Sequence, residues 1–459
     1  MSDLLTQLAN LLGDKGFLQG DALRDHPACA FVIPRGLIRP ASTEELSQAM
    51  KLCHSAGQSV VPQGGRTGLV SGQCAQTDEI IISLERMNNI QSIDTRSRTM
   101  RVEAGVPLQQ VQECAEERDL MFPLDLGARG TATIGGNLST NAGGNRVVRY
   151  GMARDMVLGL EAVLADGTVI SSMKSVIKNN TGYDLKQLFI GSEGTLGIIT
   201  RAVLRLRPKF RSQNTALVAV SSFEQVTELL GRADSALGGS MSSFEVMWNS
   251  FYSCITQHSD KHRLPLPVDY PYYVIIEAMG GDIAADDERF HAAMEDLFES
   301  GLVADAVLAK STSEREAIWA IRDDMEAIYA LYPLFAFDVS VPLPDMEAYV
   351  ADIETQINAQ WPDNRLIIFG HLGDGNIHVV VAVGSDAPEV KQAVENIVYG
   401  ALRERHGVIS AEHGIGQEKK RHLAISRSDA EIALMRTLKL AMDPTGILNP
   451  GKVIDIACA

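Results

Sequence analysis

The chain has 459 residues, 45% of them hydrophobic and 22% charged, with a formal charge of −17. That length allows two or three domains, and the apolar fraction excludes disorder, collagen, mucin or coiled coil as the main theme. The acidic balance disfavours nucleic acid or an anionic membrane as partner, and the one basic run, Lys419-Lys420-Arg421, reads as a solvated helix face.

The segment after Asp3 reads as a short amphipathic helix and not as a signal peptide, having no basic region and no long apolar run. No stretch approaches the roughly 20 apolar residues of a membrane span. Six cysteines (29, 53, 74, 114, 254 and 458) form no CxxC pair and read as buried small hydrophobes in a reducing compartment. A cytoplasmic protein is expected. Ser42-Thr43-Glu44-Glu45 is a capping box, Leu46, Ala49, Met50 and Cys53 keep helical spacing, and Gly57 suits a C-terminal cap. Strands are expected at 58–61 and 79–84, and a hairpin over 161–170 turning at Asp166-Gly167. No GxGxxG follows the first strand, which disfavours a Rossmann domain. From about 210 to 420, strand-like runs (215–220, 272–277, 366–369) alternate with helical ones (223–236, 286–299, 313–329). That order suits an antiparallel sheet with helices on one face.

Three glycine-rich segments interrupt the first region. Pro62-Gln63-Gly64-Gly65-Arg66-Thr67-Gly68-Leu69 follows a strand, and its bare backbone can approach an anion that a Cβ would block. The second, from Thr131 through Gly135, Asn137, Thr140, Gly143 and Gly144, carries no charge yet is too polar for core. The third contains Asn180 to Asp184 and Gly191-Ser192-Glu193-Gly194-Thr195-Leu196-Gly197-Ile198. Together, in this order, they resemble the FAD-binding domain of the vanillyl-alcohol-oxidase superfamily. The resemblance implies that Gly64 to Leu69 hold the diphosphate. It also implies that Asn137, Thr140, Gly144, Glu193 and Ile198 lie along the cofactor. No His or Cys occurs between Gly64 and Leu69, so the FAD is expected to be non-covalent.

His371-Leu372-Gly373-Asp374-Gly375-Asn376-Ile377-His378 reads as a hairpin turning at Gly373-Asp374-Gly375. The two histidines then sit on opposite strands, within about 5 Å across the ladder, where they can grip a divalent metal. Glu412 in Ser410-Ala411-Glu412-His413-Gly414 can add a third ligand, and His413 can act as a general base. These motifs, with Asn449-Pro450-Gly451-Lys452 near the C-terminus, resemble the FAD-linked D-2-hydroxy-acid dehydrogenases. That family includes D-lactate and D-2-hydroxyglutarate dehydrogenases and the glycolate oxidase flavin subunit, and the resemblance runs from about residue 34 to 452.

The resemblance implies an α+β protein: a split FAD-binding domain (1–209), an antiparallel-sheet cap carrying substrate and metal (210–420), and a segment (421–459) returning to the flavin side. It implies that His371, His378 and Glu412 bind Zn²⁺ or another divalent ion, that His413 removes the hydroxyl proton, and that Arg322 holds the C1 carboxylate. In hydroxyglutarate-type members a lysine for the distal carboxylate precedes an Asp-hydrophobic-Ser run, and here Ala336 stands there. A hydroxyl-bearing neighbour is replaced by Glu326 and an asparagine by Val380. These three point to a D-2-hydroxy monocarboxylate such as D-lactate, D-2-hydroxybutyrate or D-mandelate, with D-2-hydroxyglutarate or a glycolate-oxidase-type subunit as the alternative. The expected partners are the 2-hydroxy acid and an acceptor, electron-transfer flavoprotein or a quinone, with a homodimer as the candidate assembly. A zinc hydrolase and a non-catalytic flavoprotein subunit remain the rival classes.

Overall fold

The computed structural model describes residues 3–257 and 261–456, so Cys458 lies outside the described residues. The chain divides into two units. One comprises Met1–Gly143, Gly151–Lys209 and Glu412–Ala459, and the other Gly144–Tyr150 and Phe210–Ala411. The sequence placed the end of the cap at 420, whereas the chain leaves the cap unit at Ala411. The 144–150 segment also joins the cap, because it satisfies backbone groups there. Ser243 Oγ donates to Asn145 O (2.7 Å), and Arg149 Nη1 donates to the carbonyls of Ser240 (3.0 Å) and Met279 (2.6 Å).

In the first unit the N-terminal helix Leu4–Gly16 buries Leu4, Leu8 and Leu12 along one stripe. Helix Thr43–Ser55 starts where Ser42 accepts the Glu45 amide (3.2 Å), and the Glu45 carboxylate reaches back to the Ala41 amide (2.7 Å). Gly57 has φ 61°, the left-handed conformation that ends such a helix cheaply. A four-stranded sheet runs in the order Phe17–Leu18, Gly36–Ile38, Ile80–Ser83, Val60–Gln63, with the last three parallel. The C-terminal segment extends its edge, since Val60 N donates to Ile447 O and Asn449 N donates to Val60 O, each at 2.8 Å. A five-stranded antiparallel sheet runs Ile90–Asp94, Thr99–Glu103, Ile198–Arg205, Val157–Val163, Val169–Ser172. Its last hairpin turns at Asp166-Gly167, where Asp166 Oδ1 accepts the Thr168 amide at 2.8 Å. Cys29, Cys53 and Cys254 are buried free thiols, and Cys74 and Cys114 are half-buried.

Glu161, 2% exposed, is the polar centre of that sheet. It accepts from Thr43 (2.7 Å), Thr200 (2.9 Å), Ser171 (2.9 Å) and Arg201 Nε (2.7 Å). Burial opposes its ionisation, but the Arg201, Thr43, Ser171 and Thr200 hydrogen bonds outweigh burial and bring its pKa from 4.5 to about 2. A depressed carboxyl contributes stability that is present above its unfolded value and lost as pH falls through the folded one. The contribution is on the order of 3 kcal/mol. Urea unfolding of the wild type should therefore weaken as pH drops below about 4.5. Glu161→Gln should be less stable at pH 7 and show a flatter acid limb. Equal pH dependence in both proteins would refute this assignment.

The cap unit is built on a seven-stranded, wholly antiparallel sheet. Its order is Asp305–Leu308, Ser212–Val220, Tyr272–Gly280, Met241–Trp248, Arg365–His371, Asn376–Ala382, Phe335–Ser340. Helices cover both faces, and not one as the sequence suggested. The physical reason is legible in the strands: residues 215–220 are buried on both sides and do not alternate. One face carries Leu217, Met247, Tyr273, Ile275, Ile367, Phe369 and Val380, packed by Phe251, Tyr252 and Ile255 of Asn249–Gln257 and by Ile318 and Ile321 of Thr312–Asp323. On the other, Phe337 meets Tyr399, and Trp248 meets Phe223. The helix expected over 313–329 breaks into Thr312–Asp323 and Glu326–Tyr329. Asp324 stops it, because its carboxylate accepts the Glu326 amide (3.0 Å) and pairs with His262 Nε2 (2.7 Å).

Candidate active site

Strand Val60–Gln63 delivers the first glycine-rich segment onto the second. A Cβ on Gly64 would lie 2.7 Å from Thr133 Oγ1, and one on Gly65 would collide with the Thr131 carbonyl. The two backbones therefore meet without side chains between them. Thr133 caps the short helix Ile134–Ser139, and Thr140 Oγ1 returns to Gly136 O (3.2 Å). Glu193 has φ 52°, and its amide donates to Ser139 O (2.8 Å). Asn449 Nδ2 donates to the carbonyls of Glu193 (2.8 Å) and Gly72 (3.2 Å). The three segments and the C-terminal stretch thus converge in one unit.

The Glu193 carboxylate accepts the amides of Ile415 (2.7 Å) and Gly416 (2.9 Å), two and three residues past His413. Burial pushes its pKa up, against the pull of those amides and of Lys419. Gly414, at φ 86°, is pressed against the same carboxylate. Glu193 therefore fixes the loop that carries Glu412 and His413. Glu412 itself lies against Gly143, where a Cβ would collide with its carboxylate. Ile198 opens a buried strand, Leu69 is exposed, and Gly144 travels with the cap unit.

The residues present fit FAD on two counts. The glycine cradle leaves backbone bare, and among the described residues Asn137 Nδ2 and Asn449 Oδ1 are buried without a hydrogen-bond partner. A buried polar atom left unsatisfied costs about 1–3 kcal/mol, so both suit polar groups of a ligand.

In the cap unit, strands Arg365–His371 and Asn376–Ala382 form the expected hairpin, turned by Leu372–Asp374 and by Gly375 at φ 79°. His378 faces Phe369 in register, so His371 lies on the diagonal, with ring centroids 5.4 Å apart and planes at 83°. Two buried carboxylates that the sequence reading gave no role organise this corner. Glu245, 1% exposed on strand Met241–Trp248, is the register partner of His371. Its Oε1 is 2.7 Å from His371 Nδ1, and its Oε2 accepts Arg322 Nε at 3.0 Å. Burial opposes its ionisation, but the charges and hydrogen bonds of His371 and Arg322 hold its pKa low. An ionised Glu245 only accepts, so Nδ1 points a proton at it and Nε2 is the ring nitrogen left to face a metal. Asp338, register partner of His378, accepts Asn376 Nδ2 (2.8 Å) and the Ala411 amide (3.1 Å), anchoring the chain one residue before Glu412.

Helix Thr312–Asp323 places Trp319 and Arg322 one turn apart. Trp319 Nε1 donates to Glu277 (2.8 Å), while Arg322 stacks over Phe369, 4.7 Å from the ring centroid. Among the described residues the Arg322 Nη groups have no protein acceptor, which leaves a planar fork for a carboxylate. Glu326 is exposed and ion-paired with Lys261, a cation that the sequence argument about a distal carboxylate did not consider. Ala336 is exposed and pairs in register with Val380, which is buried in the apolar core.

Residues 209–453 match the family described as FAD linked oxidases, C-terminal domain, and residues 34–172 match an FAD binding domain. A mitochondrial D-2-hydroxyglutarate dehydrogenase of Danio rerio is 39% identical over 420 residues, covering 91% of this chain and 78% of that protein. The mitochondrial enzyme of the same name from Rattus norvegicus is 39% identical over 436 residues, covering 95% of this chain and 80% of that protein. In fold, the chain matches substrate-bound p-cresol methylhydroxylase with a TM-score of 0.78 at 18% identity, covering 99% of this chain and 97% of that one. The cytoplasmic expectation does not stand against these relatives, which are named as mitochondrial. It rested on the N-terminal segment, the lack of a long apolar stretch and the cysteine usage, and the packing of Leu4–Gly16 as a helix speaks to fold and not to compartment. From its domain matches, its relatives and its glycine cradle, the chain belongs to the FAD-linked D-2-hydroxy-acid dehydrogenases, and it shares the fold of p-cresol methylhydroxylase.

Proposed function

We propose that this dehydrogenase oxidises D-2-hydroxyglutarate, using Arg322 to hold the C1 carboxylate and His413 to take the hydroxyl proton. The observation that carries the site is that one buried carboxylate, Glu245, is hydrogen-bonded to both Arg322 and His371. The relatives' names support the choice of substrate. The pairing of Glu326 with Lys261 removes the charge-repulsion argument against a second carboxylate.

Pro62, Gly64 to Leu69, Gly135, Asn137, Thr140, Gly143, Gly144, Glu193, Ile198 and Asn449 would hold FAD without a covalent link. His371, His378 and Glu412 would hold Zn²⁺ or another divalent ion. FAD, when bound, accepts the C2 hydride, and a divalent ion, when bound, lowers the pKa of the substrate hydroxyl. The Arg322 fork fixes the carboxylate plane, which sets the direction of the C2 hydrogen. His413, held by the Glu193-anchored loop, takes the hydroxyl proton. Electron-transfer flavoprotein or a quinone would serve as the electron acceptor.

A second reading, a D-2-hydroxy monocarboxylate, is favoured by Val380 and Ala336, which offer the distal end no polar group. A buried carboxylate without a partner costs several kcal/mol. Anaerobic flavin bleaching and kcat/KM for D-2-hydroxyglutarate, D-lactate, D-2-hydroxybutyrate and D-mandelate separate the two. D-2-hydroxyglutarate should lead by at least about tenfold, the equivalent of 1.4 kcal/mol. A lead for D-lactate or D-mandelate would select the monocarboxylate reading.

A further inference from the structure

We propose that Glu245 is a positioning residue that locks the carboxylate-binding arginine to a metal-binding histidine, so that the two grips on one substrate keep a fixed separation. This rests on the reading of Arg322 and His371 given above.

The carboxylate uses one oxygen for each partner: Oε1 for His371 Nδ1 at 2.7 Å and Oε2 for Arg322 Nε at 3.0 Å. Both partners are nearly as buried as Glu245 itself, with 7% of each side chain exposed. Each is also held from a second direction. His371 is fixed by the strand register that makes it the Cα partner of Glu245. Arg322 is fixed by the Phe369 ring beneath it, 4.7 Å from the ring centroid. A 2-hydroxy acid presents its carboxylate and its hydroxyl on adjacent carbons. A site that grips both ends gains from a rigid spacing between the gripping groups. One two-pronged anion supplies that spacing and also sets which imidazole nitrogen, Nε2, is left to face a metal.

The alternative is that Glu245 merely neutralises buried charge and keeps the sheet folded. Glu277 provides the control. It is a buried carboxylate, 2% exposed, on the neighbouring strand, and it bonds Trp319, Gln213 and Thr215 but neither His371 nor Arg322. Glu245→Gln keeps the shape of the side chain, but one amide cannot accept from both His371 and Arg322. Glu277→Gln makes an equivalent change away from the two grips.

The test uses the FAD-loaded enzyme, stripped of metal and titrated with Zn²⁺, with substrate KM, kcat and Tm measured in parallel. Glu245→Gln should weaken Zn²⁺ binding by about 10–100-fold and raise KM by at least about tenfold, with the flavin spectrum unchanged. Glu277→Gln should lower Tm comparably while leaving Zn²⁺ affinity and KM within about twofold of wild type. Glu245→Asp should restore neither reading fully, because the shorter side chain reaches only one partner. Wild-type Zn²⁺ affinity and KM in Glu245→Gln would overturn the inference, as would an equal loss of both in Glu277→Gln. Failure of the underlying reading shows in the wild type itself, as full turnover with no Zn²⁺ bound. Failure of this inference shows only in the comparison of variants.

Discussion

Arg322→Met should lower kcat/KM by roughly a thousandfold while FAD remains bound. Two charge-assisted hydrogen bonds to a carboxylate are each worth about 1.5–3 kcal/mol, and each 1.4 kcal/mol is about a factor of ten. The substitution also strands Glu245 in the sheet interior, and breaking a buried pair costs about 3–5 kcal/mol. Tm should therefore fall as well. Arg322→Lys separates the two effects. It keeps a cation beside Glu245 but presents no planar fork, so most of Tm should return while KM stays high. Steady-state kinetics with a melting curve reads both. Activity within tenfold of wild type in Arg322→Lys would show that a different group binds the carboxylate.

The second large effect concerns the metal. Removing it with a chelator should cut turnover at least a hundredfold and leave the flavin absorption band in place. His378→Ala should do the same without chelator. The reason is the separation of duties in the chain: the glycine cradle belongs to one unit, while His371 and His378 stand on the cap hairpin. Even partners behind the ligands alter metal affinity or activity by about 10–100-fold, so a lost ligand should cost at least as much. Zn²⁺ should restore the chelated wild type but not His378→Ala. Acid precipitation of either protein should then release the FAD into solution. Full activity in a metal-free preparation would remove the metal from the reaction, and flavin retained in the pellet would establish a covalent link.

Local features were legible in the sequence. The capping of Thr43–Ser55 and the His371–His378 hairpin each depend on residues within a few positions of one another, and the cradle was marked by local glycine runs, although Gly64 and Gly65 meet Thr131 and Thr133 from a distant part of the chain. Glu245 was not legible, because its strand reads as an apolar run with one acid in it. Its partners lie 77 and 126 residues away. The signal available was chemical: an acid inside a strand that must be buried needs cationic or donor partners, and such partners are costly to omit. The same reasoning applies to Glu277 in Tyr272–Gly280. The break at Asp324 was hidden for a similar reason, since the helical pattern continues through it and the partner that holds the Asp324 carboxylate, His262, comes from another part of the chain. Glu326 shows the limit of reading one residue alone, since its ion pair with Lys261 offsets the charge on which the argument against a second carboxylate rested.

The edge of the four-stranded sheet is completed by residues 447–449, which bond to Val60 through Ile447 O and Asn449 N. This fixes an order of events during synthesis. At about 5–20 residues per second, the ribosome finishes Lys209 roughly 10–50 s before it reaches Asn449. Throughout that interval the glycine-rich backbone has been made, but the strand edge and the amide of Asn449 that steady it have not. The cap unit, whose sheet lies within 210–411, has all its strands in hand first. The cradle is therefore completed only by the chain's final segment, long after the glycine-rich residues themselves have been made.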